Sequence, residues 1–243
     1  MLSESVDFLE SPFEPGRPVF PDNFKGRRDD CKKIIRYIPG VVNKGVPEHF
    51  FITGKRGMGK TSFINYVSKI AEDKFNMIPI QFNNGGGATV ENLISSLLDK
   101  LIKEFDKGYL GKSFVDGFLK RINEIKIGGT GFSLDKKEKL IQDIKINFSD
   151  FLIELCEKLP ENKGLFIVID EINGLSNNLE FTEWYKGLFE SIVFNEDHVP
   201  VVFALVSYPD EFYNLSLINE SFSRIFHLIE IDSLEDEEIK DFS

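Results

Sequence analysis

GKRGMGKT, Gly54 to Thr61, sits between a short apolar stretch, His49–Thr53, and an amphipathic one, Thr61–Lys74. It satisfies G-x-x-x-x-G-K-[ST] at every defined position, in the strand–loop–helix context that the pattern requires. Glycines let the backbone curl so that successive N–H groups face one anion, and the start of the following helix adds its positive dipole end. The pattern predicts a phosphate-binding loop made by Gly54, Lys55, Arg56, Gly57, Met58, Gly59, Lys60 and Thr61. In it Lys60 reaches the β- and γ-phosphates and the Thr61 hydroxyl holds magnesium. Ser62 is placed to contact the α-phosphate, and Lys55 and Arg56 add positive charge.

The second informative stretch is LFIVIDE, Leu165–Glu171, a continuous apolar run ending in two carboxylates. Such a run fits a strand buried on both faces of a parallel sheet. A carboxylate at its end is positioned to hold the magnesium, which assigns Asp170 as a metal residue beside Thr61. Glu171 is then the general base that polarises the attacking water. Together the two stretches predict binding of ATP (or ADP) with Mg2+ and hydrolysis of the terminal anhydride. ATP is preferred over GTP because the one candidate for the N-K-x-D guanine signature, Asn162-Lys163-Gly164-Leu165, fails at its last position.

Working outward, residues 11–28 hold four prolines and little periodicity, which predicts an extended arm. A helix is expected from Asp29 or Asp30 to about Lys44, interrupted or ended at Pro39. Met77–Phe82 reads as a strand whose Pro79 belongs at a sheet edge. Thr89 caps a helix to Phe105 bearing an apolar stripe of Val90, Leu93, Ile94, Leu97, Leu98, Leu101, Ile102 and Phe105. A helix over 113–125, a hairpin over 125–134 and one long helix over Lys136–Leu159 follow. Further on come a helix over Glu180–Phe194, a strand over Val201–Val206, a short helix over Asp210–Ile218 and a last strand over Phe226–Ile231. Strands alternating with helices predict a doubly wound α/β domain, a parallel sheet with helices on both faces. The arm is expected over 1–28 and the P-loop ATPase core over 29–232, with a helical insertion at about 85–160.

The 243 residues are 42% hydrophobic and 28% charged, enough for a well-filled core. Twenty-nine basic against 40 acidic residues give a formal charge of −11, which argues against a broad nucleic-acid footprint. Cys31 and Cys156 lack metal-ligand spacing, and His49, His198 and His227 are isolated. A reducing, cytoplasmic setting fits, and no apolar stretch reaches the roughly 18 residues of a membrane span.

With both motifs in hand, the chain resembles the AAA+ ATPases. Within them it resembles the archaeal and bacterial ATPases related to origin-recognition proteins and to the signal-transducing STAND ATPases. The resemblance implies a five-stranded sheet in the order 5-1-4-3-2. It implies that Gly26 and Arg27, in FKGRRDD, frame the adenine. It also implies that Ser207 is a sensor orienting the attacking water, and that Arg224, in SFSRIF, is an arginine finger reaching a neighbour's γ-phosphate. Residues 233–243 fall where the family's helical lid begins, read as truncated or absent. Self-association or a partner protein is therefore expected, with DNA engaged only through a further C-terminal domain.

Overall fold

In the computed structural model of the chain, the described residues are 18–85, 87–105, 134–193 and 198–234. The helix over 113–125, the hairpin over 125–134, most of the arm and nearly all of the lid segment lie outside them. The described elements begin with α1 (Arg28–Ile35), α2 (Ile38–Lys44), β1 (Glu48–Thr53), α3 (Lys60–Phe75), β2 (Met77–Asn83) and α4 (Val90–Phe105). They continue with α5 (Leu134–Ile146), α6 (Phe148–Glu157), β3 (Gly164–Asp170), α7 (Leu179–Val193), β4 (Val201–Ser207), α8 (Pro209–Ile218) and β5 (His227–Glu230).

All pairings in the five-stranded sheet are parallel, in the order β2-β3-β4-β1-β5. Read from the other edge this is the expected 5-1-4-3-2. Both faces are covered, which is why β3 and β4 are apolar at nearly every position and fully buried. Alternation sorts their side chains: Leu165, Ile167 and Ile169 join one core with α4–α8, and Phe166 and Val168 join the other with α1–α3. The α4 stripe, Val90, Leu93, Ile94, Leu97, Leu98 and Leu101, is spent in the first core, each side chain 5% exposed or less. At roughly 1.5–3 kcal/mol per buried aliphatic side chain, that packing accounts for the stripe.

Pro79 does lie on an edge strand. The Asn84 N–H donates to the Asp170 carbonyl (2.8 Å), so even-numbered residues here turn their polar groups toward β3. Pro79 therefore faces the free edge, where its missing N–H costs no ladder bond. The expected first helix is two: the chain breaks at Arg36–Tyr37, and Pro39 sits in the opening turn of α2. The single helix expected over Lys136–Leu159 is also two. At Asn147 the backbone leaves helical geometry (φ −110°, ψ 35°), and its Nδ2 donates to the Asp143 carbonyl at 3.1 Å. The Asn147 N–H still donates to the same carbonyl at 3.0 Å, so the carbonyl takes two bonds at the residue where α5 gives way to α6. Lys145, two residues earlier, ties α4 to α7 through Glu91 and Glu180.

Beneath β1, His49 is buried among Phe189, Phe203 and Phe226, and its Nδ1 pairs with the Tyr185 hydroxyl at 2.9 Å. Its Nε2 has no partner among the described residues. Burial, with a smaller effect from His227, pushes the imidazole down to about 3. The folded chain therefore holds His49 neutral while the unfolded chain protonates it near pH 6.5. Stability from this site is complete above pH 6.5 and falls by up to about 1.4 kcal/mol per pH unit as the pH drops toward 3. Replacing both polar partners, His49→Phe with Tyr185→Phe, should leave stability at pH 7 unchanged or higher. The same double variant should lose less stability than wild type between pH 7 and 5, as read by urea unfolding at the two pH values.

Candidate functional site

The parallel sheet brings the ends of β1, β3 and β4 to one edge, with Thr53 opposite Ser207 and Asp170 opposite Val206. The loop leaves β1 there and turns through Gly57 (φ 84°) and Gly59 (φ 80°), conformations glycine adopts without strain. A Cβ at either glycine would meet nothing within 4 Å, so the loop is an open cradle. Gly59 caps α3 without any side-chain cap bond, which leaves first-turn N–H groups of the helix available to an anion.

A cleft of about 520 Å³ lies over this loop, lined by Arg56, Gly57, Gly59, Lys60, Thr61 and Ser62 on one side. Asp170, Glu171, Asn173, Ser207 and Tyr208 line the other side. Lys60 Nζ donates to the carbonyls of Gly54 (2.7 Å) and Lys55 (3.1 Å) and stands 4.5 Å from the centre of the Tyr208 ring. Burial lowers its pKa, and the carboxylates of Asp170 and Glu171 oppose that fall. The Thr61 hydroxyl donates to Asp170 Oδ2 at 2.9 Å, and the Glu171 N–H donates to Oδ1 at 2.9 Å. Burial raises the Asp170 pKa against both of those bonds. Two hard oxygens 2.9 Å apart match the edge of an octahedron built on bonds of about 2.1 Å, so the pair fits magnesium.

Glu171 holds left-handed backbone geometry (φ 56°) at the turn that follows β3. For a residue with a Cβ this costs roughly 1–2 kcal/mol, strain of the kind that accumulates at sites. Its carboxylate accepts a bond from Asn83 Nδ2 at 2.8 Å. The Ser207 hydroxyl donates to Asn173 Oδ1 at 2.8 Å. Ser62 Oγ accepts the N–H of Val19 at 3.0 Å, which pins the arm beside the loop.

A second cleft of about 440 Å³ shares Val19, Gly57, Gly59 and Ser62 with the first. It extends between Phe24, Arg27 and Met58 on one side and Ser233 and Leu234 on the other. Arg27 lines it, but its guanidinium is bonded to main-chain carbonyls; Gly26 (φ 77°) shapes the turn and lines neither cleft. Lys55 is exposed and lines neither cleft, and Gly54 is packed under the loop against Ile231. Arg224 is exposed on the turn Phe222–Ile225, away from both clefts of its own chain. Asn83, Asn173 and Tyr208 were not singled out by motif, although Asn83 ends a strand as Asp170 does.

Since burial disfavours the ionised form of Asp170, Asp170→Asn should melt at the same temperature as wild type or higher. It should also lose about tenfold or more of the gain in nucleotide affinity that Mg2+ provides. Titration of a fluorescent ADP with Mg2+ or with EDTA measures this. An unchanged Mg2+ effect would remove Asp170 from the metal site.

Residues 32–181 match the family described as KAP family P-loop domain, a span that contains the glycine-rich loop and the acidic pair and ends before β4. The chain is similar to ORC1-type DNA replication protein 8 of Haloarcula marismortui, 24% identical over 201 residues, covering 73% of this chain and 45% of that protein. Among solved structures it is similar to the Aeropyrum pernix ORC2 protein in its ADPNP–ADP complexes (TM-score 0.57, 16% identity, 93% of this chain, 54% of that one). It is also similar to the Aeropyrum pernix ORC1 protein in complex with DNA (TM-score 0.56, 13% identity, 92% and 49%). At these identities the structural likeness establishes the fold. The chain spans about half the length of these relatives. With more than half of its length matched, motifs included, the chain belongs to the KAP family of P-loop domains.

Proposed function

We propose that this domain binds ATP with Mg2+ and hydrolyses the terminal anhydride, coupling nucleotide state to self-association or to the remodelling of a partner protein. The observation that carries this reading is the gathering of Lys60, Thr61, Asp170, Glu171 and Ser207 around one cleft above an open glycine loop. Lys60 exchanges its loop carbonyls for the β- and γ-phosphates, a rearrangement within reach of its flexible stem. A divalent cation beside Thr61 and Asp170 neutralises charge on the same phosphates. Glu171, oriented by Asn83, accepts a proton from the attacking water, and Ser207, held by Asn173, orients that water. Arg224, exposed outside the clefts of its own chain, serves in this reading as the arginine that reaches the γ-phosphate of a neighbouring copy. The base and ribose lie in the second cleft, beside Arg27 and Met58.

The relatives' names include a DNA replication protein and a complex with DNA. With a charge of −11, DNA contact belongs to sequence outside this domain rather than to the domain itself. No described helix is long and apolar enough to cross a membrane. The proposed setting is the cytoplasm, and the arm, the core and the start of a lid are its proposed divisions.

Mg-ATP turnover per protomer, measured over a wide range of protein concentrations, tests the proposal. Turnover should rise with concentration. Lys60→Ala should abolish both binding and turnover, whereas Arg224→Ala should keep binding and lose about 10³-fold in turnover. Tight binding with flat, negligible turnover would instead favour a nucleotide-gated switch of the STAND type.

A further inference from the structure

Arg27 occupies a position that neither its helix nor its backbone favours. It precedes α1 as the capping residue yet makes no side-chain cap bond, where serine, aspartate or asparagine would. It is left-handed (φ 52°), directly after left-handed Gly26 (φ 77°), where a second glycine would be unstrained. Such backbone persists where the surroundings over-determine it. Here the result is to aim a guanidinium, 7% exposed, between two distant pieces of main chain. Nη2 donates to the Met58 carbonyl at 3.0 Å and to the Asp232 carbonyl at 2.5 Å, and Nη1 lies 3.9 Å from Asp30.

The two carbonyls belong to segments that matter differently. Met58 is the apex of the glycine loop, between Gly57 and Gly59. In a trans peptide the carbonyl and the next N–H point in opposite directions. Holding the Met58 oxygen toward Arg27 therefore turns the Gly59 N–H away from it. Asp232 is the second residue after β5, where the chain leaves the sheet. That departure is fastened to the loop at two further points. The Ile231 N–H donates to the Thr53 carbonyl at 2.7 Å, and Gly54 packs so closely on Ile231 that any Cβ would collide with its carbonyl. Ser233 and Leu234 then form the wall of the second cleft opposite Phe24 and Met58.

We propose that Arg27 is a positioning residue that clasps the phosphate-loop apex to the chain leaving β5, so that a nucleotide in the clefts and the placement of residues 231–234 stabilise each other. This rests on the reading of the clefts as a nucleotide site. In this role Arg27 acts through the Met58 and Asp232 carbonyls. A guanidinium serves this task because its planar fork reaches two acceptors at once from a buried position, which an ammonium does less well. The coupling is reciprocal: what strengthens one end of the clasp strengthens the other.

Amide hydrogen exchange on the full chain tests this, with and without saturating Mg-ADP, for wild type, Arg27→Gln and Arg27→Lys. In wild type, nucleotide should slow exchange in peptides covering 55–62 and 229–234 together. In Arg27→Gln, nucleotide should still protect 55–62, but protection of 229–234 should fall and no longer respond to it. The Kd for ADP should rise about tenfold, the scale of one lost charge-assisted bond. Arg27→Lys should recover part of both effects, and it carries the test if Arg27→Gln does not fold. Wild-type coupling of the two peptides in Arg27→Gln, or in Arg27→Lys where Arg27→Gln does not fold, overturns the proposal. If nucleotide alters exchange nowhere, even in wild type, the nucleotide reading fails instead. Faster ligand-free exchange of 229–234 in the variants would then still support the clasp, and wild-type exchange there would overturn it.

Discussion

The bond from the Thr61 hydroxyl to the Asp170 carboxylate joins parts of the chain 109 residues apart, and the rest of the site depends on it. Thr61 opens α3 just beyond β1, while Asp170 ends β3, and β4 runs between those two strands. The contact is possible only because all the strands are parallel, so their C-terminal ends lie at one level. That level is visible in the register, where Thr53 stands opposite Ser207 and Asp170 opposite Val206. A shift of one residue in either pairing would turn Asp170 toward the opposite face of the sheet and separate it from the loop. The two buried cores enforce the register, because both faces of β3 and β4 are packed. Hydrophobic burial far from the cleft thus sets the height at which a hydroxyl meets a carboxylate.

Much of this was legible before any coordinates. A complete loop motif between a strand and a helix, and an apolar run ending in Asp170-Glu171, are local patterns with a direct physical cause. Pro79 was legible for the same reason, since a missing N–H restricts where a strand can lie. The break at Asn147 was not. The apolar positions continue through it at helical spacing, and the break is a change of backbone angles at one residue, Asn147, which that spacing does not register. The framing role assigned to Arg27 came from resemblance, and only the fold shows its guanidinium bonded to main-chain carbonyls from two segments.

The groups that escaped notice divide by cause. Asn83 ends the edge strand β2, whose apolar run is already interrupted at Gln81, and only the register that sets it opposite Asp170 brings its amide to Glu171. Asn173 and Tyr208 lie past the strand ends. Asn173 reaches Ser207 because Glu171 takes a left-handed turn, and Tyr208 reaches Lys60 because the chain is extended before Pro209 begins α8. Both depend on how a turn is aimed, which neighbouring residues alone do not decide.

The electrostatics of the cleft explain why such a cluster persists despite what it costs the fold. Burial shifts Lys60 and Asp170 in opposite directions, and in each case away from the charged form. Each group is therefore less comfortable here than in water, and the Thr61 and Glu171 bonds only partly compensate Asp170. A polyphosphate beside Lys60 reverses the first shift, since a nearby anion favours the ammonium. A divalent cation beside Asp170 reverses the second by favouring the carboxylate. Neither ligand alone relieves both groups, and each added alone brings an uncompensated charge into the cleft. On the proposed reading, nucleotide and metal would therefore reinforce each other's binding at this site, because each relieves the group that the other leaves uncompensated.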